Sequence, residues 1–438
     1  MVATSNHFPS LSELTQVSAR IGCLSFGGPA GQIALMHREL VEDRRWVDED
    51  EYLRALNLCH LLPGPEAQQL ATWIGWKLHG WKGGLIAGGL FVVPGALVML
   101  ALSMLYAVAA DLQWFAGLFL GIKAAVLAII VQALIRIGGR ALKTTLQRCL
   151  AATAFVALFL FDAPFPLVML AALALGALVA ARRPGLLAVK PLEPTSEPLA
   201  SAWPASVKAA VVWGAVWAAP MIAVLVLLGR DHVLWDIGVF FSQLAVVTFG
   251  GAYAVLAYMA QEAVSGFGWL SPGEMADGLG LAETTPGPLI MVTQFVGFLA
   301  AMRAPDPFGP ILAGVLGAAL TTWVTFAPCF MWIFVFAPWI DRMQRSPALQ
   351  GGLAGVTAAV VGVIANLALW FMLHVLFAKL TSNEMGPLRW QAPDLASLDW
   401  RAALIALVSA ALIFGLKWGI VRTLAVAAGL GLALHMTV

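Results

Sequence analysis

Two short motifs interrupt otherwise apolar sequence, and each of them occurs twice. Ser-Phe-Gly-Gly occupies 25–28 and Thr-Phe-Gly-Gly occupies 248–251, while Pro-Gly-Pro occupies 63–65 and 286–288. Proline removes a backbone donor and clashes with the preceding turn, and glycine permits positive φ, so a helix that meets either motif is expected to break. The N–H groups freed at the start of a half-helix can receive an anion.

These motifs and the polar residues beside them are therefore candidate anion-binding residues, because interrupted helices at matching positions of two halves point to a transporter binding site. The candidates are Ser25, Gly27, Gly28, Pro63, Gly64, Pro65, Gln68, Gln69, Thr248, Gly250, Gly251, Thr285, Pro286, Gly287, Pro288 and Gln294. The alternative is a set of packing kinks, since glycine and proline are common in transmembrane helices.

Two cations also fall within apolar sequence, where a buried Lys or Arg costs about 2.5–3.5 kcal/mol and is usually kept for a partner or a pathway. Lys123 lies in an otherwise uncharged run that continues to Ile135, which places it near mid-membrane. Arg20 lies five residues before Ser25, just over one helical turn from the first break. Either cation could balance a bound anion. The alternatives are a salt bridge to another helix for Lys123 and snorkelling to the interface for Arg20.

Several acidic residues and one histidine could carry protons, although solvated residues of a vestibule are the alternative. They are Glu39, His60, Glu66, Glu262 and Glu283. The chain contains no HExxH, GxSxG, P-loop or GxGxxG motif, so the sequence does not favour a hydrolase or a nucleotide-driven pump. The four cysteines show no metal-ligand spacing and are expected to be small buried apolar residues, so no metal and no cofactor is predicted.

The elements that position these residues must be membrane helices. Apolar residues make up 61% of the 438 positions and charged residues only 11%, which excludes a soluble globular fold. Uncharged stretches such as 83–110, 237–261 and 307–340 exceed the roughly 20 helical residues that cross a bilayer core. They show no strand-like alternation, so we predict an all-α polytopic membrane protein of about ten to twelve helices. The net charge of +1 suggests no nucleic acid partner, and the polar N-terminus does not resemble a cleavable signal peptide.

The chain is also predicted to be a duplication. Adding 223 to a residue number carries the first copy of both motifs onto the second, together with Glu39 onto Glu262 and Trp46 onto Trp269. Further on the offset becomes 234. We therefore assign a first repeat to 1–181, a linker with one extra span to 182–230, and a second repeat to 231–438. Each repeat is predicted to end in a helical hairpin.

Charge placement suggests that the two repeats have opposite orientations in the membrane. Lys and Arg concentrate in short cytoplasmic loops, and the segments 37–45, 77–82, 136–148 and 182–208 are basic. The turn at Asp111 is acidic, whereas the matching turn of the second repeat holds Arg342. This pattern predicts an inverted repeat with broken helices, in which the extra span supplies the reversal.

The combined motifs resemble the chromate transporter (CHR) family in its long, two-domain form. The resemblance covers nearly the whole chain and rests on both FGG motifs, on both Pro-Gly-Pro motifs, and on Glu39, Arg44, Arg45 and Trp46 with Glu262 and Trp269 in the second half. The second copy departs at Ala252, where the first has Pro29, and is acidic rather than basic after its FGG. The two halves are therefore not expected to be functionally equivalent.

The resemblance implies a secondary transporter in the bacterial inner membrane that exports chromate and gives resistance to it, with sulfate as the natural analogue. We place the expected site between the two repeats, near all four breaks, with Lys123 balancing the dianion. Alternating access would come from rocking of the repeats. A sulfate or oxyanion importer and an anion channel of the same build remain alternatives, and a homodimer is left open.

Overall fold

The computed structural model describes residues 8–26, 28–109, 112–187, 203–248, 252–340, 343 and 346–436. The described part of the chain is mostly helical, as predicted. Its helices are α1 (Leu11–Leu24), α2 (Gly28–His37), α3 (Glu49–Leu61), α4 (Glu66–Ala109), α5 (Gln113–Ala141), α6 (Thr145–Phe161), α7 (Phe165–Arg182), α8 (Trp203–Leu227), α9 (Val233–Val247), α10 (Ala252–Gln261), α11 (Pro272–Thr284), α12 (Val292–Arg303), α13 (Pro310–Phe336), α14 (Pro347–Leu376), α15 (Trp400–Ala410) and α16 (Ile420–Met436). Short π-helical turns follow α2, α10 and α15, at Arg38–Asp43, Glu262–Gly266 and Ala411–Gly415.

One small sheet interrupts this helical order. Strands β1 (Leu380–Met385) and β2 (Leu388–Pro393) pair antiparallel between α14 and α15, with Leu380 opposite Pro393. Gly386 takes a positive φ of 62° in the turn between the strands. This hairpin was not expected from the sequence, and it is too short to cross a bilayer.

The helices fit a multi-pass membrane protein. Among the described residues, six helices are long and apolar enough to cross a bilayer core, namely those at Glu66–Ala109, Gln113–Ala141, Phe165–Arg182, Trp203–Leu227, Pro310–Trp339 and Pro347–Leu376. Five shorter apolar helices accompany them. The longest, α4, is in fact two helices, because His79 and Gly80 leave helical geometry with φ of −138° and 59°. The chain therefore spans a membrane several times.

The order of elements in the first half recurs in the second half. The chain α1 to α7 matches α9 to α16, with α8 between the two series and the second half of α4 matched by α13. The inverted orientation and the repeat boundaries stay predictions. Asp111 and Arg342, whose charges suggested the inversion, lie outside the described residues.

Contacts between Cα atoms divide the chain into two compact units, and each unit draws segments from both repeats. The first unit contains Met1–Ala101, Leu192–Ala252 and Thr285–Arg345, and the second contains Leu102–Pro191, Tyr253–Thr284 and Ser346–Val438. In the first unit α13 packs against α8, α9 and α12, and a core that includes Leu14, Tyr52 and Leu70 joins α1, α3 and α4.

In the second unit the long helix of each repeat packs against the terminal hairpin of the other. Helix α14 packs against α6 and α7, and α5 packs against α15 and α16. Small residues permit the close approach, because a Cβ at Gly176 would lie 2.2 Å from the carbonyl oxygen of Gly351. In the other helix pair, a Cβ at Gly121 would lie 2.0 Å from the carbonyl oxygen of Ala427. The repeats are therefore interleaved within one compact unit.

Candidate functional site

The four predicted breaks are real, and they are paired crosswise within the first compact unit. Each motif lies between two helices. The N–H of Gly64 in the first Pro-Gly-Pro donates to the carbonyl oxygen of Thr248 at 2.8 Å. The N–H of Gly287 in the second Pro-Gly-Pro donates to the carbonyl oxygen of Ser25 at 2.9 Å. Each repeat therefore supplies the donor that satisfies the broken helix of the other repeat.

Glycine is needed at both crossing points. Gly64 has a φ of 119° and Gly287 a φ of 89°, in the region that side chains other than glycine rarely adopt. A Cβ at Gly64 would also lie 2.8 Å from Sγ of Cys329. The N–H groups of these two glycines are engaged by protein carbonyls here, so they do not act as free donors to an anion.

The hydroxyls of the two FGG motifs are engaged as well. Ser25 Oγ donates to the carbonyl oxygen of Ile21 at 2.6 Å, and Thr248 Oγ1 donates in the same way to Leu244 at 2.6 Å. These bonds satisfy carbonyls at the C-terminal ends of α1 and α9. Both hydroxyls thus cap their own helices, which favours the packing alternative for these two side chains.

Gln32 reinforces one of the two crossings and was missed by the sequence analysis. Its Nε2 donates to the carbonyl oxygen of Gly287 at 2.6 Å and lies 3.4 Å from the carbonyl oxygen of Ser25. The side chain is buried. The offset of 223 places Val255 at the matching position of the second repeat, so only one crossing has this amide. An amide one turn into an otherwise apolar α2 was the available signal.

A small cavity lies where helices begin beside these crossings. It has a volume of about 10 Å³ and is lined by Pro29, Gln32, Pro65, Glu66, Ala67, Pro288, Leu289 and Ile290. Helix α2 starts at Gly28, α4 at Glu66, and the 3₁₀ turn that precedes α12 at Leu289. Helix starts carry free N–H groups and partial positive charge, which favour an anion. A cavity of this size holds at most about one water molecule, so an oxyanion needs these elements to separate.

One carboxylate already faces the cavity. Glu66 is buried at the first position of α4, and His60 Nδ1 lies 3.4 Å from its Oε1. Burial lowers the pKa of His60, but the hydrogen bond and the charge of Glu66 together outweigh burial, so the pKa lies above its usual 6.5. A protonated His60 offsets the charge of Glu66, which otherwise opposes a second anion at the same helix start.

Three predicted glutamines are buried around the two Pro-Gly-Pro motifs. Gln68 Nε2 donates to Thr72 Oγ1 at 3.1 Å, and Gln69 Nε2 donates to the carbonyl oxygen of Pro63 at 2.7 Å. Gln294 Nε2 donates to the carbonyl oxygen of Ala96 at 2.9 Å. The Oε1 atoms of all three accept no hydrogen bond within the described part of the chain. The amides are therefore only half satisfied, and rotation of the amide would present N–H groups in place of oxygen.

Glu39 is held by two arginines. Arg20 Nη2 lies 3.6 Å from one carboxylate oxygen, and Arg44 Nη1 bonds to the other. Glu39 is buried, whereas the Arg20 side chain is more than half exposed. Arg20 thus has a partner within its own unit, and Glu39 has the contacts of a stable ion pair rather than those of a mobile proton carrier.

Glu262, the repeat counterpart of Glu39, has the opposite surroundings. Burial and the nearby carboxylate of Asp162 raise the pKa of Glu262 above its usual 4.5. Gln261 Nε2 donates to Asp162 Oδ1 at 2.5 Å, in the second compact unit. The duplication therefore placed one glutamate beside arginines and the other beside an acid, which favours Glu262 over Glu39 as a proton carrier.

Lys123 belongs to the second compact unit, whereas all four breaks belong to the first. Its Nζ lies 3.3 Å from Oδ1 of Asp277 on α11, which is the salt bridge left open as an alternative. Tyr106 donates to Oδ2 of the same carboxylate at 2.8 Å. Asp277 was not among the candidates expected from the sequence.

The remaining predicted site residues lie beside the crossings, at helix ends, or outside the described residues. Pro63, Pro65, Pro286 and Pro288 flank the crossing glycines, Gly28 opens α2 with a φ of 73°, and Thr285 and Glu283 are buried at the end of α11. Gly27, Gly250 and Gly251 lie outside the described residues. Within the described part of the chain no group of three or more His, Cys, Asp or Glu side chains could hold a metal ion.

Comparison with known proteins identifies the family. A sequence model of the family described as "Chromate transporter" matches residues 12–177 and 235–432. The chain is 35% identical to the chromate transport protein of Pseudomonas aeruginosa over 83% of this chain and 82% of that protein. It is 30% identical to the probable chromate transport protein of Synechococcus elongatus, over 82% and 83%. It is 28% identical to the chromate transport protein of Cupriavidus metallidurans, over 82% and 81%.

No solved structure matches the chain. The family match covers most of both halves, including the two FGG motifs and the two Pro-Gly-Pro motifs that cross in the first compact unit. The chain belongs to the chromate transporter family.

Proposed function

We propose that this protein is a secondary transporter that exports chromate across the bacterial inner membrane and so gives resistance to it. The family and the names of the relatives support chromate as the substrate. An anion-binding site is supported by one observation: three helix starts line one small cavity beside the crossed breaks. We place the oxyanion at this cavity, and the protein acts by binding and release rather than by catalysis.

The cavity offers an oxyanion two kinds of donor. The first N–H groups of α2, α4 and the turn before α12 have no partner within their own helices. The amide of Gln32 already reaches into the crossing of Ser25 and Gly287. Both kinds are uncharged, so they stabilise a dianion without holding it as tightly as a row of cations, and release remains possible.

Opening of the cavity is the step that admits substrate. The crossing bonds at Gly64 and Gly287 hold the four breaks together while the cavity is small. Breaking them frees two more N–H groups, on Gly64 and Gly287, which directly precede the cavity-lining Pro65 and Pro288. The oxyanion then replaces the carbonyls of Ser25 and Thr248 as the acceptor, which offsets the cost of removing its hydration shell.

The pair of His60 and Glu66 is the candidate proton site beside this opening. The carboxylate of Glu66 opposes a dianion at the start of α4, so its pairing with a protonated His60 favours binding. Glu262 and Glu283 remain candidates for further protons.

Export requires no nucleotide. A dianion that leaves a cell with a negative interior gains about 2.3 kcal/mol per charge per 100 mV, hence about 4.6 kcal/mol. The membrane potential therefore suffices as the driving force, and the chain lacks a P-loop.

Chromate uptake into inside-out membrane vesicles tests the function. We expect saturable uptake that rises with a potential of the exporting sign and that excess sulfate inhibits, because both ions are tetrahedral dianions that uncharged donors distinguish poorly. Uptake that does not saturate would indicate a channel. Uptake confined to right-side-out vesicles would indicate an importer, and indifference to a large sulfate excess would contradict a shared site.

A further inference from the structure

We infer that Asp277, held by Lys123 and Tyr106, is a proton-binding site that couples protons to oxyanion movement. The inference rests on the proposed transport function, but it concerns a cluster in the second compact unit that is separate from the crossed breaks. The ligand of the site is the proton, and its acceptor is the Asp277 carboxylate.

The Asp277 carboxylate is buried, and each of its oxygens has its own partner. Asp277 is 7% exposed, and its two oxygens face different partners, Lys123 at 3.3 Å and the Tyr106 hydroxyl at 2.8 Å. The Tyr106 ring packs edge-on against Phe115 and Phe119 at centroid distances of 5.8 and 5.4 Å. Lys123 therefore balances the charge of the acid, and aromatic side chains surround the Tyr106 ring.

The cluster lies at bilayer depth. Lys123 is ten residues after Gln113, the first residue of α5, which corresponds to about 15 Å along a helix and about half of a 30 Å hydrocarbon core. Ionisable residues at this depth are costly and commonly mark proton relays. Binding of a proton by the Asp277 carboxylate gives a neutral acid, and the cluster changes from a neutral pair to a net single positive charge on Lys123.

In the described part of the chain, the elements packed against α11 carry several other titratable groups, among them Arg136 and Arg140 on α5. On its own helix, Glu274 is a like charge that opposes the ionised form of Asp277 and accepts hydrogen bonds from Ser271. The remaining elements packed against α11 carry Glu262 on the π-helical turn, His374 on α14, and Arg422 and His435 on α16.

The duplication does not repeat this pair. The offsets of 223 and 234 place Arg54 at the position of Asp277 and Thr357 at the position of Lys123 in the other repeat. Arginine and threonine cannot form a carboxylate–ammonium pair. The pair therefore occurs at only one of the two equivalent sets of positions.

Helix α11 connects the cluster to the second Pro-Gly-Pro along the chain. Asp277 is eight residues before Thr285, about 12 Å along a helix, and Pro286 follows. Gly280 on α11 lies so close to α5 that a Cβ there would be 2.5 Å from Cγ2 of Ile122. Protonation loosens the contact of Asp277 with Lys123, and a small shift of α11 against α5 then reaches the crossing at Gly287.

Proteoliposomes that contain the full chain test the coupling with two readouts. One is the exchange of labelled sulfate across membranes without a pH gradient, and the other is the movement of protons, followed by an internal pH dye, when a sulfate gradient is imposed. We expect the wild type to show both. We expect Asp277→Asn, which keeps the shape and the Tyr106 contact, to exchange sulfate at a measurable rate while proton movement falls to the level of empty liposomes.

A second variant is needed because Asp277→Asn could lose sulfate exchange only through the unpaired charge of Lys123. Lys123→Gln combined with Asp277→Asn removes both charges, and it should also exchange sulfate without moving protons. Sulfate-driven proton movement by either variant at the wild-type ratio would overturn the inference, as would a wild type that exchanges sulfate but moves no protons. Loss of exchange in the well-folded double variant would also overturn it. A wild type that does not exchange oxyanions at all would refute the proposed function instead.

Discussion

The N–H of Gly287 donates to the carbonyl oxygen of Ser25 at 2.9 Å, and the N–H of Gly64 donates to that of Thr248 at 2.8 Å. Ser25 and Thr248 are equivalent by the duplication, as are Gly64 and Gly287. The two bonds are therefore one contact made twice, each time between residues of different repeats. A broken helix leaves carbonyls that must be satisfied inside a membrane, and here each repeat depends on the other for that.

Gly64→Ala should abolish transport and lower stability. The new Cβ meets Cys329 Sγ at 2.8 Å and Gln69 Nε2 at 2.9 Å, and alanine at positive φ alone costs more than about 1 kcal/mol. Thermal unfolding in detergent and chromate uptake in vesicles measure the two effects. Gly89→Ala is the control, because a Cβ at Gly89 on the following helix, α4, meets nothing within 4 Å. Equal behaviour of the two variants would contradict a role for this crossing.

Gln32→Leu should weaken oxyanion transport by about tenfold. The substitution leaves the buried carbonyl of Gly287 with one donor fewer, at a cost of about 1–3 kcal/mol, and removes the amide that faces the cavity. The apparent affinity for chromate measures it. Gln16→Leu, at an exposed glutamine of α1, is the matched control and should resemble the wild type. A Gln32→Leu protein with unchanged affinity would remove Gln32 from the site.

The pairing of His60 with Glu66 should make stability depend on pH near neutrality. Because the folded pKa of His60 is raised, the pairing contributes stability that is complete below about pH 6.5 and is lost as pH rises through the raised pKa. Thermal midpoints between about pH 5 and about pH 9 should therefore fall with pH in the wild type. In Glu66→Gln this fall should be smaller, and an identical pH profile would show that the pair does not titrate as described.

Lys123→Ala should abolish chromate resistance in a sensitive host, because Asp277 is then left as a buried charge without its cation, which costs about 3–5 kcal/mol. Lys123→Arg keeps the charge with altered geometry and should retain part of the resistance. Thr357→Ala, at the matching position of the other repeat, should be mild. Membrane levels of each variant must be compared, and full resistance from a well-expressed Lys123→Ala protein would contradict the importance of the pair.

Cysteines placed at Asp111 and at Arg342 should react from opposite sides of the membrane if the repeats are inverted. The background should first lose Cys23 and Cys149, which are exposed. A membrane-impermeant thiol reagent applied to intact cells and to inside-out vesicles gives the measurement. Labelling of both positions from the same side would exclude the inversion.

The breaks could be predicted from the sequence because proline and glycine act locally on the helix that contains them. The partner of each break could not be predicted, since nothing in the residues around Ser25 specifies Gly287 rather than Gly64 as its donor. Because the repeats are similar, pairing of Ser25 with Gly64 or with Gly287 would satisfy the same backbone groups. Only the folded chain distinguishes them.

Other omissions have different causes. Gln32 is conspicuous only as an amide in an apolar helix, and its importance depends on a carbonyl far along the chain. Asp277 was missed because α11 begins with Pro272 and contains three glycines, a composition that resembles a loop more than a buried helix. The hairpin at 380–393 has a Gly-Pro turn at 386–387 between two polar strands, and a search for apolar spans passes over it.

The interleaving of the repeats determines the order in which the protein can be completed during synthesis. Domains generally fold as units from the N-terminus while the ribosome is still translating. Here the first compact unit needs residues up to Arg345, and the second needs residues up to the C-terminus. A nascent chain that stops after α8 therefore holds Ser25 without its Gly287 donor and α5 without the helices that cover it. The first repeat therefore stays incompletely folded in the bilayer until the second repeat is inserted. Insertion of the second repeat completes both compact units.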